Sequence, residues 1–242
     1  MLATSRTPGG TRHPPGSSSA IVTAAAGLAV ATVLIGMRPS LVRAEDCITI
    51  ADFARDPVGA FPAEWKVRED KGKTVYSVEE RDGRRALRAD ADDTGIQAAL
   101  AYEWDLDAYP ILAWWWRPVV FPRGADERAS GTNDSPLAVY VLVSYSRIRG
   151  PKAVKYVWSE RVPVGTQLSS NGGLTQVQVL RSGAPQAGQW TEERVDVLAD
   201  FKRRFGESAT PKPVGIAVLT DGDDTKSRAE GEYADFRACR RS

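Results

Sequence analysis

The sequence predicts an all-β fold: a two-layer β-sandwich, jelly-roll-like, with one short helix near residues 197–205. Three observations predict it. Short runs of alternating apolar and polar residues recur along the chain. Gly- and Asp-containing turn pairs fall between them. Only one stretch carries helical spacing, so the regular strand–helix alternation of a parallel α/β sheet is missing. A closed barrel is the alternative arrangement of the same strands.

The expected strands are 48–53, 74–79, 86–90, 98–104, 111–119, 137–145, 153–158, 176–181, 189–195, 214–220 and 230–237. Asp82-Gly83, Arg123-Gly124, Arg149-Gly150-Pro151, Asn171-Gly172-Gly173 and Asp221-Gly222 supply turns. The helix rests on Leu198, Phe201 and Phe205, which share one face, with Asp196 placed to cap its start and Gly206 its end.

Residues 1–44 have the order of a signal peptide. Arg6 and Arg12 are the only charges before an uncharged apolar run over 20–37, and Val42-Arg43-Ala44 supplies small residues for cleavage before Glu45. An uncleaved membrane anchor is the other reading of that run. Glu45 and Asp46 before Cys47 depart from a lipoprotein pattern. Cleavage leaves a single domain, 45–242, in the periplasm or secreted, without a membrane attachment. That domain has 28 basic against 31 acidic residues, which argues against a nucleic-acid partner.

His13, in the leader, is the chain's one histidine. The domain therefore offers no imidazole to a Ser-His-Asp or Cys-His site or to a zinc site. Its two cysteines, Cys47 and Cys239, stand near its two ends, and in an oxidising compartment they suggest a disulfide. Two separate thiols are the alternative.

A set of motifs resembles the bacterial exported family DUF3047. It opens on Asp52-Phe53, Asp56-Pro57-Val58-Gly59-Ala60-Phe61-Pro62 and Trp65. It continues through Tyr109-Pro110-Ile111-Leu112, Asp126-Glu127-Arg128, Lys155-Tyr156-Val157-Trp158-Ser159 and Pro163-Val164-Gly165-Thr166. Val179-Leu180-Arg181-Ser182-Gly183, Gly188-Gln189-Trp190 and Thr220-Asp221 complete it. The resemblance covers nearly all of the domain (core 48–237) and implies export, with no activity to transfer. Two positions depart from the family's pattern. Trp114-Trp115-Trp116-Arg117 stands where the family reads Trp-Arg-Trp-Arg, and Ala138 stands where an Arg is expected.

Alternation sends Trp114 and Trp116 to one face of their strand and Trp115 and Arg117 to the other. A ring beside a guanidinium suits a sugar or carboxylate ligand; a plain stacked pair closing the sandwich is the alternative. Tyr156, Trp158 and Arg181 are expected to join them on one exposed ligand-binding surface, with Asp126, Glu127 and Arg128 at its rim. Solvated ion pairs are the alternative for the charged members. The turn Asp221-Gly222-Asp223-Asp224 could hold calcium through Asp221, Asp223 and Asp224, although its spacing is not that of an EF-hand and a plain β-turn explains it too. No other cofactor is implied. The expected function is non-catalytic binding of a carbohydrate or cell-envelope small molecule. Two readings stand beside it. One is a glycoside hydrolase using carboxylates among Glu103, Glu127, Glu160 and Asp221, or a polysaccharide lyase using Tyr and Arg. The other is an envelope assembly or structural factor.

Overall fold

Alternating side chains make strands that bury one face, and two such faces close on each other. A computed structural model describes residues 46–241 apart from residue 82 and residues 185–187; the expected leader and its cleavage point lie outside the described residues. In chain order the elements are β1 (Cys47–Ala51), β2 (Trp65–Val67), β3 (Tyr76–Arg81), β4 (Arg84–Asp92), β5 (Ala98–Ala101), β6 (Ile111–Val120) and β7 (Ser135–Ser146). Then come β8 (Gly150–Ser159), β9 (Gln167–Ser170), β10 (Thr175–Ser182), β11 (Thr191–Asp196), α1 (Val197–Phe205), β12 (Pro213–Asp221) and β13 (Arg228–Cys239). Strands β2 and β9 have no counterpart in the expected set, because three and four residues are too few to show a period.

The strands form two sheets. One has the order β11-β6-β13-β4-β3, with β1 also paired to β13; the other runs β2-β5-β12-β7-β8-β10-β9. The chain passes from one sheet to the other at every connection between consecutive strands except β3–β4, β7–β8, β8–β9 and β9–β10. The late strands β12 and β13 insert between early ones, β12 between β5 and β7, β13 between β4 and β6. The fold is thus the predicted two-layer sandwich, with the interleaving of a jelly roll. Pairing is antiparallel except between β8 and β10, which are parallel.

The core between the sheets is aromatic at its centre. From β6, Trp114 and Trp116 are fully buried and reach across to Tyr156 and Trp158 of β8, with ring centroids 5.8 and 5.7 Å apart. Helix α1 joins this core through Phe201, with Asp196 Oδ1 accepting from Ala199 N at 2.9 Å and Gly206 in the left-handed conformation (φ 68°). Tyr156 Oη donates to Asp200 Oδ2 at 2.9 Å, which fastens the helix to β8. The first and last strands pair in register at Cys47 and Cys239, and a disulfide joins them, as the sequence suggested. Among the described residues no helix is long and apolar enough to cross a membrane.

Candidate functional site

The residues expected on one surface separate into three places. Trp115 and Arg117 do share the outer face of the six-stranded sheet. Trp115 is half-buried, with the Arg84 guanidinium 4.4 Å from its ring centroid. Arg117 is buried, its Nε donating to Glu232 Oε2 at 2.6 Å, and its guanidinium lies 5.0 Å from the Trp190 ring. Tyr156 and Trp158 are not on that face or on any surface. The register of β8 against β7 pairs Tyr156 with Val139 and Trp158 with Leu137, whose side chains point into the core, and alternation carries both rings inward with them. Trp158 Nε1 is satisfied there by the Gly183 carbonyl at 3.0 Å. Arg181 lies near the end of β10, its Nε donating to Glu193 Oε1 at 2.6 Å. The rim loop also divides. Arg128 Nε donates to Asp126 Oδ1 at 2.8 Å and holds that carboxyl down to about 2, whereas Glu127 turns inward.

The opposite side of β8 leads to a different site. On the outer face of the seven-stranded sheet, cross-strand pairing builds one row from Lys66 through Ala99, Ala217, Tyr140, Lys155 and Val177 to Leu168. The neighbouring rows add Leu219, Ala138 and Val157 on one side and Leu142 and Ala153 on the other. Alanine at 99, 138, 153 and 217 keeps this face low. A groove of about 870 Å³ crosses it. Lys66, Val67, Arg68 and Glu69 line one side, Gly95, Ile96, Gln97, Ala99 and Leu219 contribute the floor, and Arg149, Gly150, Pro151 and Asn171 line the other side. The two departures from the family's pattern fall on different sheets: Trp115 on the outer face of the first, Ala138 in the row beside this groove's floor.

Beneath one end of the groove lies a buried polar cluster. Lys155 is 5% exposed, with Nζ 5.4 Å from the Tyr140 ring centroid. Burial works against its charge, but Tyr140, Asp221 and Glu127 outweigh it and raise its pKa. Glu127 accepts from Ser159 Oγ at 2.5 Å, yet burial pushes its pKa above the usual carboxylate range. Asp221 is raised to about 8, first by burial and then by the carboxylate of Asp223. One oxygen of each acid, Glu127 Oε1 and Asp221 Oδ1, is buried without a hydrogen-bond partner. Asp221 Oδ1 packs so closely on Gly95 that a Cβ there would stand 2.0 Å from it, which places this acid against the groove wall. Of the four carboxylates considered for hydrolysis, these two share Lys155. The other two stand elsewhere: Glu103 pairs with Lys212 at 2.8 Å and Glu160 with Arg161 at 3.4 Å.

The Asp-rich turn also departs from expectation. Asp221 stays beside Asp223, but it is Asp223 and Asp224 that approach the buried Asp134, one oxygen from each of these three lying within 4.8 Å of the others. Asp134 is already engaged: Thr225 N and Oγ1 donate to its Oδ2 at 2.7 and 2.6 Å, and Asp224 N to Oδ1 at 3.2 Å.

Sequence reasoning missed Lys66, Arg68 and Gln97, named Arg149 and Asn171 only as turn residues, and named Lys155 only within the family motif. The alternation Trp65-Lys66-Val67 does carry a signal, since it puts Lys66 on the face opposite Trp65. Its strand is only three residues long, so the signal is short.

Several solved structures are similar to this chain in fold. A carbohydrate-binding module specific for non-crystalline cellulose, CBM28, is 11% identical, covering 80% of this chain and 94% of its own, with a TM-score of 0.42. The carbohydrate recognition domain of Emp47p is 10% identical over 81% of this chain and 98% of its own, with a TM-score of 0.42. Endoglucanase 3 of Trichoderma harzianum, from family GH12, is 13% identical over 81% and 96%, with a TM-score of 0.37. No curated protein matches the sequence. The family model described as protein of unknown function (DUF3047) matches residues 63–237, and the chain belongs to that family.

Proposed function

We propose that the protein is an exported, non-catalytic β-sandwich that binds a glycan of the cell envelope or its surroundings in the groove on the seven-stranded sheet. The groove carries this reading. It is long enough to draw its walls from β2 and from the β7–β8 turn, and it offers amide and cationic donors beside apolar contacts from Ile96, Ala99, Leu219 and Pro151. Such a lining hydrogen-bonds hydroxyls while covering the C–H faces of a sugar. The disulfide supports an oxidising compartment. Filling the groove with Ala99→Trp, on the exposed side of β5, is expected to abolish glycan binding measured by calorimetry while the fold melts as before. Retention of binding by that variant would place the site elsewhere.

The two buried acids favour a second reading, hydrolysis of a glycan held in the same groove. Asp221, protonated at neutral pH, would give its proton to the leaving glycosidic oxygen, and Glu127 would be the second carboxylate. Release of reducing sugar that disappears in Asp221→Asn and Glu127→Gln would establish it; an inert wild-type protein that still binds glycan would leave the non-catalytic reading.

A further inference from the structure

Building on the groove reading, we infer that the groove takes an anionic glycan, one bearing carboxylates or sulfates, with Lys66, Arg68 and Arg149 as its charge partners. The lining holds three cations and one acid, Glu69, which is already paired with Lys71 at 3.0 Å. The side chains of Lys66 and Arg68 are exposed and have no hydrogen bond or ion pair among the described residues. The Arg149 guanidinium has only the Tyr145 side chain, whose hydroxyl is 3.5 Å from Nη1. Elsewhere on the surface Arg84, Arg88, Arg128, Arg203, Arg228 and Arg240 all sit on carboxylates. The groove thus gathers three cations that have no carboxylate partner among the described residues, on a domain whose net charge is negative.

The position of the cations matters as much as their number. Lys66 lies on β2, with its row on the outer face of the sheet, and Arg68 follows directly after the strand ends, so one wall supplies two cations two residues apart in sequence. Arg149 comes from the opposite wall. A chain of sugars lying across the sheet would meet cations from both sides. The lining also contains no aromatic ring. A neutral glycan usually gains its affinity from stacking on such rings, so this groove must gain it from charge-assisted hydrogen bonds, which carboxylates and sulfates accept and hydroxyls accept more weakly.

The test uses the mature domain against polygalacturonate and dextran sulfate as anionic probes, and cellohexaose and neutral dextran as uncharged ones. Three proteins are compared. They are wild type, the groove variant Lys66→Gln/Arg68→Gln/Arg149→Gln, and a control with the same charge loss away from the groove, Arg85→Gln/Arg240→Gln/Arg241→Gln. The expected result is that wild type and control bind an anionic probe, the groove variant binds it about tenfold or more weakly, and added salt narrows the difference. Equal weakening in the control and groove variants would overturn the inference, since overall charge would then explain the binding. So would equal or tighter binding of a neutral probe. If that neutral binding is lost in Ala99→Trp, the groove reading survives and only the anionic class fails. Binding of no probe by wild type would overturn both.

Discussion

At the scale of single residues, burial decides which aromatic rings are available. Trp115 and Trp158 have the same chemistry and opposite fates: one stacks with Arg84 at the surface, the other packs against Trp116 inside. Trp158→Ala is therefore expected to destabilise the fold by about 3–5 kcal/mol, as truncation of a fully buried ring does. Trp115→Ala should cost about 1 kcal/mol, the worth of a partly exposed cation–π contact. Urea denaturation of the two variants distinguishes them, and equal losses would contradict the placement. The buried acids make a second prediction. Asp221 titrates at about 8 in the fold, whereas an unfolded aspartate titrates near 4. Between those values the folded state keeps a proton that the unfolded chain has released, so this residue's contribution to stability falls as pH rises from about 4 to 8. Glu127, also raised, acts with the same sign. Asp221→Asn should gain on the wild type over that window, by on the order of a few kcal/mol. Denaturation curves at pH 5 and pH 8 would show it. An Asn variant that loses ground at pH 8 would mean that an ionised Asp221 stabilises the fold through Lys155.

At the scale of elements, the bridge and the Asp turn each hold strands together. The Cys47–Cys239 disulfide fastens β1 to β13 across 192 residues of sequence. Its removal should cost about 5 kcal/mol in the chain-entropy model. Non-reducing mass spectrometry should find no free thiol, and reduction should lower the melting temperature. The Asp turn joins β12 to β13 and docks on Asp134, just before β7. Both oxygens of Asp134 already accept hydrogen bonds from the turn, so the turn is stable without a cation. Neither EDTA nor millimolar calcium is expected to shift the melting temperature. Asp134→Ala, which strands the Thr225 and Asp224 donors, should lower stability by about 1–3 kcal/mol. A calcium-dependent rise of several degrees would instead assign a cation to Asp134, Asp223 and Asp224.

At the scale of the whole molecule, the two sheets have divided the polar work. The six-stranded sheet spends its outer arginines on carboxylates, with Arg88 and Arg228 bonded to Asp90 and Glu230 and Arg117 to Glu232. The seven-stranded sheet keeps a low alanine floor, and among the described residues Lys66, Arg68 and Arg149 at its groove have no carboxylate partner. A saturated face and an unsaturated one on the same sandwich give binding a direction. For the intact chain, N-terminal sequencing of protein recovered from an envelope fraction should begin at Glu45. Recovery of Met1 in the membrane fraction would replace the cleaved leader with an anchor.

The sequence alone was enough for the all-β class, eleven of the strands, the capped helix, the family and the bridging of the two cysteines. All of these rest on local signals: period two, turn residues, a cap at Asp196 and Gly206, and a count of two cysteines. It also separated Trp114 and Trp116 from Trp115 and Arg117, because alternation along one strand is a local property. What it could not contain was which face of each strand the other sheet would cover. Tyr156 and Lys155 alternate equally well either way; only the pairing of β8 with β7, and the rings of β6 above it, turned Tyr156 inward and Lys155 toward the groove side. The groove itself joins β2, β5, β12 and the β7–β8 turn, segments as far apart in sequence as Lys66 and Leu219, which no sequence spacing relates. Strand pairing between distant segments created that site, because hydrogen-bonded register, unlike alternation, is a property of two strands at once.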